Sequence, residues 1–303
     1  MRSSNPALND KVFERETRNA YAGAGYPASP PTGAPPGWQQ PGYGAGGPIP
    51  PAPDLVSPWT PQGPTGRIET MRMGGVLSAS AVLLTLFMIT GFIGYTSVDV
   101  EIIENPITGQ ETRGAVSVPP WLIISALVGF VLAIVTIFKP KFARVTAPLY
   151  ALAQGLFVGA ITHVYNIEFK GIGAQAAGLT AAVFAMMLFL YATRIIKVTD
   201  KLRTGIIAAT GAVMLVYLVS IVMRLFGAEI PFLHDASPLG ILISLVIVGI
   251  AAMNLLLDFD FIERGVQAGA PRYMEWFAAF GLMVTLIWLY LEMLRLLSKL
   301  RSR

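Results

Sequence analysis

The sequence predicts an all-α membrane protein: a seven-helix transmembrane bundle behind a proline- and glycine-rich N-terminal tail. Three observations carry this. Of 303 residues, 54 % are hydrophobic and only 13 % charged, where a soluble globular chain carries roughly 25 % charged residues. From residue 74 onward, apolar stretches recur at about 20 residues, the length that crosses a ~30 Å hydrocarbon core at 1.5 Å per residue. The segments between them hold the prolines and charges of chain turning in water.

Residues 1–66 contain 14 of the 22 prolines and 10 of the 30 glycines, in runs such as PASPPTGAPPGWQQPGYGAGGPIPPAP. No apolar periodicity survives there, so this stretch is expected to be a disordered tether. Its Tyr, Trp and Pro residues could also dock a protein partner. Met1 to Glu16 is charged throughout and has no apolar core of a signal peptide, so the tail is expected to stay in the cytoplasm. The second domain is then residues 67–303.

The seven stretches are Gly74–Thr96, Trp121–Phe138, Thr146–Tyr165, Gly173–Thr193, Gly205–Phe226, Leu239–Leu257 and Gly281–Leu297. A helical bundle follows, because backbone in lipid must satisfy its own hydrogen bonds. Lys139, Lys141 and Arg144 follow the second stretch, Arg194, Lys197, Lys201 and Arg203 the fourth, and Arg67 and Arg72 precede the first. The excess of Lys and Arg assigns these loops to the cytoplasmic side of a plasma (inner) membrane. The alternate loops are acidic or balanced, with Asp99, Glu101, Glu104, Glu111 and Arg113 in the first, Glu168 and Lys170 in the second, and Glu229 and Asp235 in the third. Seven spans put the C-terminus outside, where Lys299, Arg301 and Arg303 conflict with the rule.

The absence of cysteine excludes disulfides, zinc–thiolate and iron–sulfur sites and a thiol nucleophile. Two histidines are too few for a His-rich metal site. There is no GxSG serine, GxGD pair, P-loop or HExxH, and no lysine lies deep in a stretch, as a retinal receptor needs. Neither an enzyme nor a bound cofactor is expected. The net charge of +4 belongs to loops held against anionic lipid, so nucleic-acid binding is not expected.

Ionisable residues inside apolar helices are costly and are functional candidates by default. Glu292 stands in VTLIWLYLEMLRLL with apolar neighbours on both sides, eleven residues beyond Gly281. It is expected to face the bundle interior. The alternative is an architectural ion pair with Arg295 at i+3. Asp258 and Asp260 close the sixth stretch in AAMNLLLDFDFIERG, and Asn254 shares a face with Asp258. Asp258 is either a functional acid or a helix-end carboxylate wetted by headgroups, and Asp260 is expected to be a solvated helix end.

Asp258–Ile262 (D-x-x-x-I), the final L-x-x-L-Y-L-carboxylate of Leu286–Glu292, LRLL at Leu294–Leu297 and PLYALAQGLFVGAI at Pro148–Ile161 together resemble the Bax inhibitor-1 (transmembrane BAX inhibitor motif, YccA/YetJ-like) family. The motifs cover residues 67–303, and the proline-rich tail looks like those of the actinobacterial branch. The resemblance implies six helices around a central seventh and a pH-sensitive calcium leak controlled by two carboxylates that share a proton. Carried over, the pair is Asp258 and Glu292, with Asn254, Asp260 and Arg295 as tuning neighbours and with calcium or another cation bound transiently. YccA-like members imply the other function, a non-conducting membrane regulator or stress-response adaptor that modulates a membrane protease.

Two departures stand out. The second carboxylate is Glu where the family generally has Asp, and GVQAGAPRYMEWFAAF, residues 265–280, lengthens the connection. A last helix starting at Arg272 would carry Glu292 about 30 Å up its axis, out of reach of Asp258. The pair can meet only if Arg272–Phe280 lies flat at the interface, with Tyr273 and Trp276 as anchors, Gly281 as a hinge and Glu292 about 17 Å deep.

Overall fold

The computed structural model describes residues 69–104, 111–117, 119–227 and 236–302. The tail of residues 1–66, with its expected disorder, lies outside them, as do Glu229, Asp235 and Arg303. Among the described residues seven helices are long and apolar enough to cross a membrane. They are α1 (Met73–Thr96), α2 (Pro120–Phe138), α3 (Ala143–Glu168), α4 (Ile172–Ala192), α5 (Asp200–Leu225), α6 (Pro238–Gln267) and α7 (Met274–Arg301).

Local sequence accounts for several of the ends. Thr199 caps α5 by accepting from the Leu202 amide at 3.3 Å, and Ser237 caps α6 by accepting from the Gly240 amide at 3.1 Å with Pro238 following. A one-turn 3₁₀ helix, Pro140–Phe142, joins α2 to α3. The connection from α1 to α2 is a two-stranded antiparallel hairpin, β1 (Asp99–Glu104) with β2 (Glu111–Ser117), where the charges had suggested a plain solvated loop. The β-branched run at Val98, Val100, Ile102 and Ile103 is the signal that charge counting passed over.

The most buried of the seven helices is α7, which packs on α1, α3, α4 and α6 while α2 rests on α3 and α5 on α6. The C-terminal helix is therefore the axis of the bundle. Phe277, Phe280, Met274, Leu289 and Leu294 on it are fully buried. Glycines let α1 and α3 touch backbone to backbone. A Cβ on Gly159 would lie 1.9 Å from the Gly91 carbonyl oxygen, so no larger residue fits that crossing.

The sequence places the ends of α6 and α7 too close to their centres. α6 continues ten residues past Leu257, and α7 begins at Met274 and runs unbroken through Gly281. No flat interfacial segment and no hinge exist there, and Tyr273 and Trp276 pack against the core cluster of Phe277 and Phe280.

Candidate functional site

The extension of α6 leaves Asp258 inside the helix, fully buried at 0 % exposure, so it is not a headgroup-wetted end. One turn earlier Asn254 donates to Thr210 Oγ1 on α5 at 2.8 Å and to the Ile250 carbonyl at 2.9 Å. Asn254 and Asp258 lie on one helical face, so this hydrogen bond turns a short polar stripe of α6 toward α5. Asp260 is not a solvated end either. Its side chain is 14 % exposed and accepts from Arg203 of α5 and Arg264 of α6. Glu263 accepts from the Tyr191 hydroxyl, from Arg194 at 2.5 Å and from Gln267 at 3.1 Å. Three arginines thus serve Asp260 and Glu263 and tie α4, α5 and α6 together at this end.

Glu292 faces the interior, as expected, at 2 % exposure. Its Oε1 accepts from the Tyr217 hydroxyl of α5 at 2.6 Å, from Arg295 at 3.0 Å and from the Trp288 indole N–H at 3.3 Å, and its Oε2 accepts from Arg295 at 3.0 Å. Arg295 also donates to the Tyr217 hydroxyl. The i+3 ion pair therefore exists within α7, and Tyr217 of a second helix, α5, closes on it. Charge-assisted bonds of this kind contribute roughly 1.5–3 kcal/mol each, and a buried pair that loses one partner leaves a costly lone charge.

The structure does not bring Asp258 and Glu292 together. On α5, Tyr217 at the level of Glu292 stands seven residues beyond Thr210, which meets Asn254, and Asn254 is four residues above Asp258. The α6–α7 register agrees, with the Phe261 and Phe277 rings 6.5 Å apart and Lys299 Nζ 2.9 Å from Ser244 Oγ. These contacts separate the two helix positions by about seven to twelve residues, or roughly 10–18 Å along the axis.

A third buried acid escaped the sequence reading. Glu275, in the first turn of α7 and 6 % exposed, accepts from the Arg72 amide at 3.0 Å with Arg272 Nε at 3.8 Å. Around it residues 69–72 run beside 270–272, with Met71 N donating to Ala270 O at 2.6 Å and Arg272 N to Glu69 O at 3.0 Å. Gly75 makes the room, since a Cβ there would lie 2.1 Å from the Glu275 carboxyl carbon. The Arg272 guanidinium bonds to Glu69 and holds its carboxyl below the usual range. An acid in the first turn of a helix, favoured by the dipole, was the available signal for Glu275.

Among the described residues no group of three or more His, Cys, Asp or Glu side chains could hold a metal ion.

A family model described as Bax inhibitor 1 like matches residues 5–302 of this chain. The match reaches back through the proline-rich segment, further than the motifs at residues 67–303. No curated protein matches the chain.

Proposed function

The chain belongs to the Bax inhibitor 1 like family, and from that premise we propose that it is a pH-sensitive leak for calcium and other cations, gated by Asp258 and Glu292. The observation that carries this reading is the full burial of both carboxylates in the spans of α6 and α7. A charged side chain at such depth is expensive, so its protonation state decides whether the surroundings are dry or admit water and a counter-ion. Neutral Asp258 leaves the α5–α6 seam packed, whereas the carboxylate favours a hydrated cation beside Asn254 and Thr210. Glu292 works differently, because its protonation releases Arg295 and Tyr217 from a shared hydrogen-bond set. The axial offset of roughly 10–18 Å supports two proton-sensitive points in series over one shared proton.

The reading includes an orientation in a plasma membrane with the N-terminus in the cytoplasm, supported by the Lys and Arg of the α2–α3 and α4–α5 connections. The tail then offers its Pro, Tyr and Trp residues to a cytoplasmic protein partner.

The pair between Glu292 and Arg295 favours a second reading. A neutralised, fully bonded carboxylate suits a non-conducting scaffold that regulates or adapts another membrane protein. Calcium flux into proteoliposomes decides between them. A leak that varies with pH and that flattens in Asp258→Asn supports the channel. No flux above that of empty vesicles at any pH overturns it in favour of the regulator.

A further inference from the structure

A long apolar groove of about 800 Å³ opens between α1 and α4 with α7 as its floor. It runs along α1 from Ser80 to Tyr95, about 22 Å at 1.5 Å per residue. Small side chains on α4, Ala174, Ala177 and Ala181, make its depth, and Ala279, Met283 and Ile287 make its base. Its rim is exposed, with Leu84 at 50 %, Met88 at 61 % and Phe92 at 70 %. Both walls are membrane spans, so the groove opens sideways into hydrocarbon and not into water.

Two further features lie toward the end where α1 starts and α4 finishes. The Ser80 hydroxyl there is buried and has no hydrogen-bond partner among the described residues. A buried donor without a partner needs an explanation, and a bound acceptor supplies one. Just outside the spans stands an exposed cation, Arg72 ahead of α1. An apolar trough longer than the ~15 Å half-thickness of the hydrocarbon core, with a lone donor and a basic residue toward one end, matches an acyl chain carrying esters and a phosphate at one end.

We propose that this groove is a binding site for one anionic phospholipid, drawn from the leaflet on the side of the α6–α7 turn. One acyl chain lies along α1 between Ser80 and Tyr95, an ester carbonyl accepts from Ser80 Oγ, and Arg72 pairs with the phosphate. The site is independent of the ion-leak reading, since neither Asp258 nor Glu292 lines it.

The test uses the full chain reconstituted in vesicles of equal phosphatidylglycerol and phosphatidylcholine, then extracted in mild detergent, with retained lipid counted by mass spectrometry. Wild type is expected to retain phospholipid enriched in phosphatidylglycerol. Ala177→Phe and Ala181→Phe, which fill the trough from exposed positions, should lose most of it, and Leu218→Phe on the lipid face of α5 should lose none. Arg72→Gln should reduce the phosphatidylglycerol preference by about fivefold, the effect of one basic residue near an anionic surface. A photoreactive phosphatidylglycerol should label α1 around Met88 in the unmutated protein, which keeps the test decisive if a filled variant fails to fold. Equal retention by wild type and the filled variants overturns the proposal. So does a wild-type dimer that Ala177→Phe converts to monomer, because a second copy of the chain then covers the groove.

Discussion

The ammonium of Lys299, on the last turn of α7, lies 2.9 Å from the Ser244 hydroxyl and 3.1 Å from the Gly240 carbonyl at the start of α6. At 4 % exposure this lysine is part of the protein interior. Arg301 is likewise engaged, donating to the Lys170 carbonyl at 2.9 Å and to Gln175 at 2.7 Å. The positive-inside rule counts cations that meet the cytoplasmic leaflet. Lys299 and Arg301 are instead bound into α6 and the α3–α4 turn, which weakens the conflict between a basic C-terminus and seven spans. Single cysteines placed in this cysteine-free chain test the orientation. Lys197→Cys should react with an impermeant thiol reagent only after the membrane is opened, and Asp99→Cys should react in intact cells. Labelling of position 197 from outside inverts the topology.

The bonds of Arg295 predict an asymmetry in stability. Arg295→Ala strands the Glu292 carboxylate at 2 % exposure and should cost on the order of 2–4 kcal/mol. Glu292→Gln keeps a hydrogen-bonding group for Tyr217 and leaves an arginine whose side chain is 30 % exposed, so its cost should be smaller. Denaturant titration in detergent reads both. A larger loss for Glu292→Gln would mean that Arg295 contributes little to holding that carboxylate.

At the α6–α7 turn the prediction concerns chain ends. Deleting residues 1–60 spares the extended segment of residues 69–72, joined to the α6–α7 turn by an isolated bridge between Thr70 and Pro271, and should leave the melting temperature nearly unchanged. Deleting through residue 72 removes the amide that Glu275 accepts from, as well as Glu69, and should lower it by several degrees. Gly75→Ala should do the same, since its Cβ would fall 2.1 Å from the Glu275 carboxyl. Glu69 also fixes a pH dependence. Its carboxyl is lowered from 4.5 by Arg272, so its stabilisation is present above that value and is lost as pH falls through the lower, folded one. Glu69→Gln should remove that acid-side loss. An unchanged acid limb in this variant would show that the Arg272 contact contributes nothing to stability.

Helix number and order were legible because apolar length is a local property, and each stretch from Gly74–Thr96 to Gly281–Leu297 overlaps a helix. The ends of α6 and α7 were not, because a charge in sequence reads as wet chain. Asp260 is dry only because Arg203 on another helix meets it, and Glu275 only because an amide 203 residues away does. Such partners are set by packing and leave no periodic trace. The same error of a few residues moved the start of α7 from Gly281 to Met274. That shift alone changed the relation of Asp258 to Glu292 from adjacent to remote, so identifying two interior acids from sequence did not establish a pair.

Separation makes the final prediction, which concerns the leak itself. Two groups that share one proton titrate as a unit, and the amide at either site would then abolish the pH response, with nothing left for the second change to remove. Sites more than about 7–10 Å apart without a shared partner act additively, and Asp258 and Glu292 lie roughly 10–18 Å apart along the bundle. Asp258→Asn and Glu292→Gln should therefore each remove a different part of the pH profile of calcium flux, and the double variant should show the product of the two effects. Tyr217→Phe, which takes away the hydroxyl bonded to Glu292 and Arg295, should change only the Glu292 component. If the double variant matches either single one, the two carboxylates are one coupled unit in the conducting state, and two gates in series is the wrong mechanism.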